Sequence, residues 1–210
     1  PQACAEGALA RTRDGYKGLK MAPFEATRIV DSPHAVSEAA EKVRAVREAV
    51  GKKVDIGIDC HGRLSPAMAR MAAKALEPYS PMFLEEPCLP ENVKAMATIA
   101  RSTTIPIATG ERLYTRWGFR EVLERQAASI LQPDLSHAGG ILECRKIASM
   151  AEIYYAGMAP HCPLGPIALA TCLQLDACTP NFLIQELGSL GEGYLLKPFK
   201  VTEGYIDLPK

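Results

Sequence analysis

Short apolar runs alternate with longer amphipathic stretches along the whole chain, and nearly every run closes on an ionisable side chain. Runs of this length, bounded by turn residues, are strand candidates. They fall at 18–22, 54–60, 82–86, 105–109, 128–133, 155–160 and 182–186. Helical patterns lie between them. Residues 37–50 set Ala39, Ala40, Val43, Val46 and Val50 on one face and are followed by Gly51, a C-terminal stop. Ser65 followed by Pro66 is an N-cap with proline at the first helical position. That helix turns Ala69, Ala72, Ala73 and Leu76 inward and must end before Pro78. Similar patterns occupy 91–101, 117–126, 141–154 and 167–176.

Strand-helix repetition gives either an open doubly wound sheet or a TIM-type (β/α) barrel, and the polar residues decide between them. The runs end in Lys20, Asp59 with His61, Glu85 with Glu86, Glu111, Asp134, His161 and Glu186. From Asp59 onward these recur about every 25 residues, one βα unit each, which is how a barrel arranges a ring of groups at its C-terminal face. No GxGxxG follows the first run, as a dinucleotide-binding sheet would require. The expected fold is therefore an α/β barrel. Seven strands are one short of eight, so the first strand, and any domain preceding it, is expected upstream of Pro1. Residues 1–194 read as the incomplete barrel. Residues 195–210, with Pro198 and Gly204, read as a tail.

Composition narrows the function. The chain has 210 residues, 48% of them hydrophobic, enough for one substantial core. Lys+Arg and Asp+Glu both number 24, so no net field draws nucleic acid or an acidic membrane surface. No apolar run approaches the roughly 18 residues of a membrane span, and residues 1–13 lack the apolar core of a signal peptide. Seven cysteines without paired zinc spacing argue for reduced thiols in a cytoplasmic protein, the rival being a metal cluster of Cys60, His61, His161 and Cys162. A small molecule is the expected ligand.

Asp59, Glu85 and Glu111 end successive strands, where neighbouring side chains converge. Three unpaired carboxylates would repel one another, so a divalent cation is their natural partner, and hard oxygen ligands suit Mg²⁺. Alternatively, each acid caps the helix that follows it. His161 and Asp134 end adjacent strands, and a carboxylate there would fix the imidazole tautomer and make it a better base. On an extended strand His61 would point the same way as Asp59, two residues earlier. His137 and His34 read as loop and turn histidines.

The strings Asp59-Cys-His61-Gly-Arg63, Leu84-Glu85-Glu86-Pro87, Gly110-Glu111-Arg112, Gln132-Pro133-Asp134-Leu-Ser-His137-Ala-Gly-Gly140 and 159–170 (APHCPLGPIALA) resemble the mandelate racemase branch of the enolase superfamily. The resemblance runs through nearly the whole chain and is greatest to members that dehydrate sugar acids, D-galactonate above all. It implies the C-terminal portion of a barrel enzyme with an N-terminal α+β capping domain, toward which the tail would return. It also implies one Mg²⁺ on Asp59, Glu85 and Glu111, with Glu86 beside the ligands rather than among them. His161 supported by Asp134 becomes the general base and His61 the general acid, a pure metal ligand being the alternative for His61. Glu186 matches an acid that hydrogen-bonds the developing enolate oxygen, a role that needs its proton. Racemases of the superfamily carry Lys-x-Lys on the second strand, whereas this chain has Lys20-Met21-Ala22, so their base is absent. Lys20 is left to contact the substrate carboxylate or to pair with a ligand acid. The implied reaction removes the C2 proton and the C3 hydroxyl of an aldonate, D-galactonate or another aldonate or aldarate. A catalytically silent barrel with a binding role is the other reading. Family members form dimers and octamers, so a homo-oligomer is expected.

Overall fold

The computed structural model describes residues 1–208, and they form two compact units. The first spans Pro1–Ile107 with Val201–Tyr205; the second spans Ala108–Lys200 with the chain's end from Ile206.

The first unit opens on α1 (Gln2–Arg13), which packs against α2 (Pro33–Val50). Three parallel strands follow one another in sequence order: β1 (Gly18–Met21), β2 (Asp55–Asp59) and β3 (Phe83–Glu85). Helix α2 starts four residues before the expected 37, because Ser32 accepts the His34 N–H and Pro33 supplies the preset φ of a first helical residue. It buries Val36, Ala39, Ala40, Val43 and Val46 and stops at Gly51, whose φ is 73°. The capping signal at Ser65 and Pro66 begins α3 (Pro66–Leu76), with the Ser65 hydroxyl accepting the Met68 N–H. Pro78 then confines the chain to a 3₁₀ turn, Glu77–Tyr79. Helix α4 (Val93–Ala100) completes this set.

Strand β2 is buried from Ile56 to Asp59, as befits a parallel strand covered on both faces. Its Gly57 lies opposite Phe83 in the ladder, and a Cβ on Gly57 would come within 2.4 Å of the Phe83 ring. Arg47 ties the strand entrances together. Its guanidinium donates to the carbonyls of Gly51, Val54, Tyr79 and Ser80, fixing the approaches to β2 and β3 with one side chain.

The second unit carries another parallel trio, β4 (Ile107–Thr109, from Ala108 on), β5 (Ile130–Leu131) and β6 (Gly157–Met158). The helices are α5 (Thr115–Glu124), the short α6 (Leu135–Ala138), α7 (Gly140–Ile153) and α8 (Pro166–Asp176). Six of the seven expected strands are present. The seventh, 182–186, reduces to a single parallel bridge between Met158 and Phe182 with hydrogen bonds from Met158 N to Asn181 O and from Leu183 N to Met158 O. Pro160 has no N–H to continue that ladder, and its carbonyl is taken instead by the Gln185 side chain at 2.9 Å.

Within the expected tail, β7 (Val201–Thr202) and β8 (Tyr205–Ile206) pair with each other, and Lys17 Nζ lies 5.1 Å from the Tyr205 ring centroid. The last two residues of that tail lie outside the described residues. All seven cysteines are free thiols, and no described helix is long and apolar enough to cross a membrane.

Candidate functional site

In the first unit the ladder register sets the acids. Asp59 and Glu85 are direct partners in the β2–β3 pairing, so two carboxylates leave the strand ends side by side, 4% and 0% exposed. An oxygen of each lies within 4.8 Å of the other. Two buried carboxylates at that range need positive charge between them, and Lys20 supplies it. Its Nζ lies 3.1 Å from Asp59 Oδ2 and 3.0 Å from Glu85 Oε1. Lys20 pairs with Gly57 in the β1–β2 register, two residues before Asp59. That separation is about 6.6 Å along a strand, a distance the lysine stem spans. Pairing with a strand-end acid was one of the two roles open to Lys20, and here it pairs with two. The oxygen-only donor set and its burial fit a hard divalent cation such as Mg²⁺.

His61 reaches Asp59 by a different route from the one expected. The strand ends at Asp59, and His61 sits in a left-handed turn at φ 52° with Gly62 at 65°. Carbonyls of the next βα unit impose this turn: Cys60 N donates to Glu85 O, and Gly62 N to Glu86 O at 2.8 Å. The imidazole folds back so that Nε2 lies 3.2 Å from Asp59 Oδ2, while the backbone N–H of His61 donates to Asp59 Oδ1. Among the described residues Nδ1 has no hydrogen-bond partner. Glu86 is fully buried in a left-handed conformation beside Glu85, and its carbonyl holds Gly62.

In the second unit one imidazole stands among three acids. His161 Nδ1 lies 2.9 Å from Asp134 Oδ2, and the two residues bridge in parallel register. Asp134 is also a helix cap: its Oδ1 accepts the Ser136 N–H at 2.7 Å at the start of α6. One oxygen fixes the carboxylate and the other fixes the ring. The other ring nitrogen, Nε2, lies 3.6 Å from Glu111 Oε2 and 3.9 Å from Glu186 Oε2. Glu111 follows Gly110, whose φ of 148° and approach to the Gln132 backbone exclude a side chain.

Glu186 is anchored by the Cys162 N–H, 2.9 Å from Oε2. Neither this donor nor Gln185 was marked by the sequence. A backbone N–H carries no residue signature, and Gln185 is legible only once Pro160 is seen to break the ladder. His137, expected in a loop, instead sits on the short helix α6, its ring 6.3 Å from that of Tyr114.

The Enolase C-terminal domain-like family matches residues 3–210. The chain is 52% identical over 172 residues to the D-galactonate dehydratase of Variovorax paradoxus (strain S110), covering 82% of this chain and 45% of that protein. It is 49% identical over 180 residues to the D-galactonate dehydratase of Ralstonia nicotianae, covering 86% and 47%. An enolase from Agrobacterium radiobacter, with Na and L-malate bound, superposes with a TM-score of 0.88 at 31% identity over 99% of this chain and 58% of that one. The chain thus spans about half the length of the curated relatives it matches. Five motifs in order, strand-end acids in parallel register and a His-Asp pair agree with these matches: the chain belongs to the enolase C-terminal domain-like family.

Proposed function

We propose that this chain carries the catalytic residues of a sugar acid dehydratase, a hydro-lyase whose favoured substrate is D-galactonate. The observation that supports this best is the division of the His161 ring, with Nδ1 on Asp134 and Nε2 facing Glu111 and Glu186. A carboxylate on Nδ1 leaves Nε2 as the basic atom, the arrangement a general base requires. The curated relatives named D-galactonate dehydratase give the substrate class.

Asp59, Glu85 and Glu111 would hold one Mg²⁺, which supplies positive charge against the second negative charge that builds on the substrate carboxylate. His161 Nε2 takes the C2 proton. His61, seated against Asp59, gives a proton to the C3 hydroxyl, which leaves as water, and the resulting enol tautomerises to a 2-keto-3-deoxy acid. Glu186, held by Cys162, hydrogen-bonds the oxygen on which charge develops, and Glu86 supports the turn that carries His61. The protein acts in the cytoplasm on a small sugar acid, as a homo-oligomer.

The test is a panel of aldonates and aldarates incubated with the protein and Mg²⁺, followed by an assay for 2-keto-3-deoxy acid. D-Galactonate should turn over fastest. Preference for another sugar acid would keep the reaction and change the substrate. No product from any member would reject the enzymatic reading in favour of a silent barrel.

A further inference from the structure

Lys20 places a permanently charged ammonium on two of the three carboxylates to which the proposed function gives Mg²⁺. Its Nζ is within 3.1 Å of Asp59 and 3.0 Å of Glu85, and it is itself only 25% exposed. An ammonium and a divalent cation cannot both sit on the same oxygens without strong mutual repulsion at short range. We infer that Lys20 is an internal counter-cation that competes with Mg²⁺ for Asp59 and Glu85. It neutralises the two acids when no metal occupies them, and it swings away from them when metal binds.

The inference rests on the metal reading above and adds two consequences. Removing the ammonium should make metal binding tighter, since the cation no longer has to displace a resident charge. The same change should weaken the fold when metal is absent, because it removes a permanent positive charge from beside two adjacent buried carboxylates. Lys20 is therefore a positioning residue with opposite effects on the two quantities. A residue that merely helped to build the site would lower both.

The experiment compares the full chain with Lys20→Met, following Mn²⁺ binding by calorimetry and thermal unfolding in EDTA and in excess Mg²⁺. Lys20→Met should bind Mn²⁺ roughly tenfold more tightly, melt at a lower temperature in EDTA, and gain more from Mg²⁺ than the parent does. Unchanged or weaker Mn²⁺ binding in Lys20→Met, with the parent still binding, overturns the competition and leaves the metal site standing. No Mn²⁺ binding by the parent overturns the metal reading itself, and this inference with it. Lys20→Arg covers the case in which the methionine variant does not fold. A guanidinium fork grips two carboxylates more firmly than an ammonium does, so its Mn²⁺ affinity should fall by roughly tenfold. An unchanged affinity there also overturns the competition.

Discussion

The ionisable clusters of the two units solve the same electrostatic problem in different ways. In the first, two buried acids share a permanently charged ammonium, and their spacing is fixed by backbone register, Asp59 opposite Glu85. In the second, three acids surround an imidazole, whose charge depends on a proton, and the key carboxylate is fixed by a helix cap. Two acids registered on a rigid ladder suit holding a cation. Variable charge on a ring with one nitrogen pinned suits moving a proton. The two clusters thus differ in whether their positive charge is permanent or depends on a proton.

The largest expected effect tests that difference directly. His161→Asn removes the group with Nε2 and should lower turnover by roughly 10³-fold or more, read as 2-keto acid formation. Mn²⁺ binding should persist, since the β2–β3 register positions Asp59 and Glu85, and of the three proposed ligands it is Glu111 that faces the ring. Joint loss of both would show that the two clusters act as one. Next in size is Asp134→Asn. The carboxamide oxygen can still cap α6, but the ring loses the carboxylate that selects its tautomer, so kcat should fall by about 10²–10⁴-fold. The urea midpoint should barely move. A large stability loss instead would make Asp134 primarily a cap.

Most of these site residues could be located from sequence because one βα unit of fairly constant length returns the chain to the same end of the strands each time. The conformations around them depend on partners far along the chain. His61 looked like a strand residue, and it turns left-handed only because Glu85 and Glu86, about 25 residues later, offer carbonyls to Cys60 and Gly62. Lys20 had two open roles, and the β1–β2 register, which no local pattern encodes, brings it to Asp59. The expected strand at 182–186 has the right apolar composition but lacks a partner N–H at Pro160. The early start of α2 is different: Ser32-Pro33 is the same signal that was read at Ser65-Pro66.

A smaller effect probes the rigidity of the first cluster. Gly57→Ala would place a Cβ 2.4 Å from the Phe83 ring, and that ring belongs to the strand that carries Glu85. The overpacking should cost about 1–3 kcal/mol in urea unfolding. Mn²⁺ affinity should fall with it, since the strands must part where the two acids are registered. Lost stability with unchanged affinity would mean that the side chains, rather than the ladder, set the ligand geometry.

The smallest effect concerns an acid that lacks the compensation both clusters enjoy. Asp176 ends α8 with both carboxylate oxygens buried and, among the described residues, without a hydrogen-bond partner; burial pushes its carboxyl up to about 8 from 3.8. A raised carboxyl holds its proton more tightly in the folded chain than in the unfolded one. Its stabilising contribution is therefore full below pH 3.8 and is lost progressively as pH rises toward 8. Asp176→Asn keeps the shape and cannot ionise, so it should flatten that slope and gain about 1 kcal/mol over the parent at pH 9. Urea unfolding at pH 5, 7 and 9 would measure it. Parallel pH profiles for parent and variant would mean that Asp176 finds a compensating charge after all, as the acids of the two clusters do.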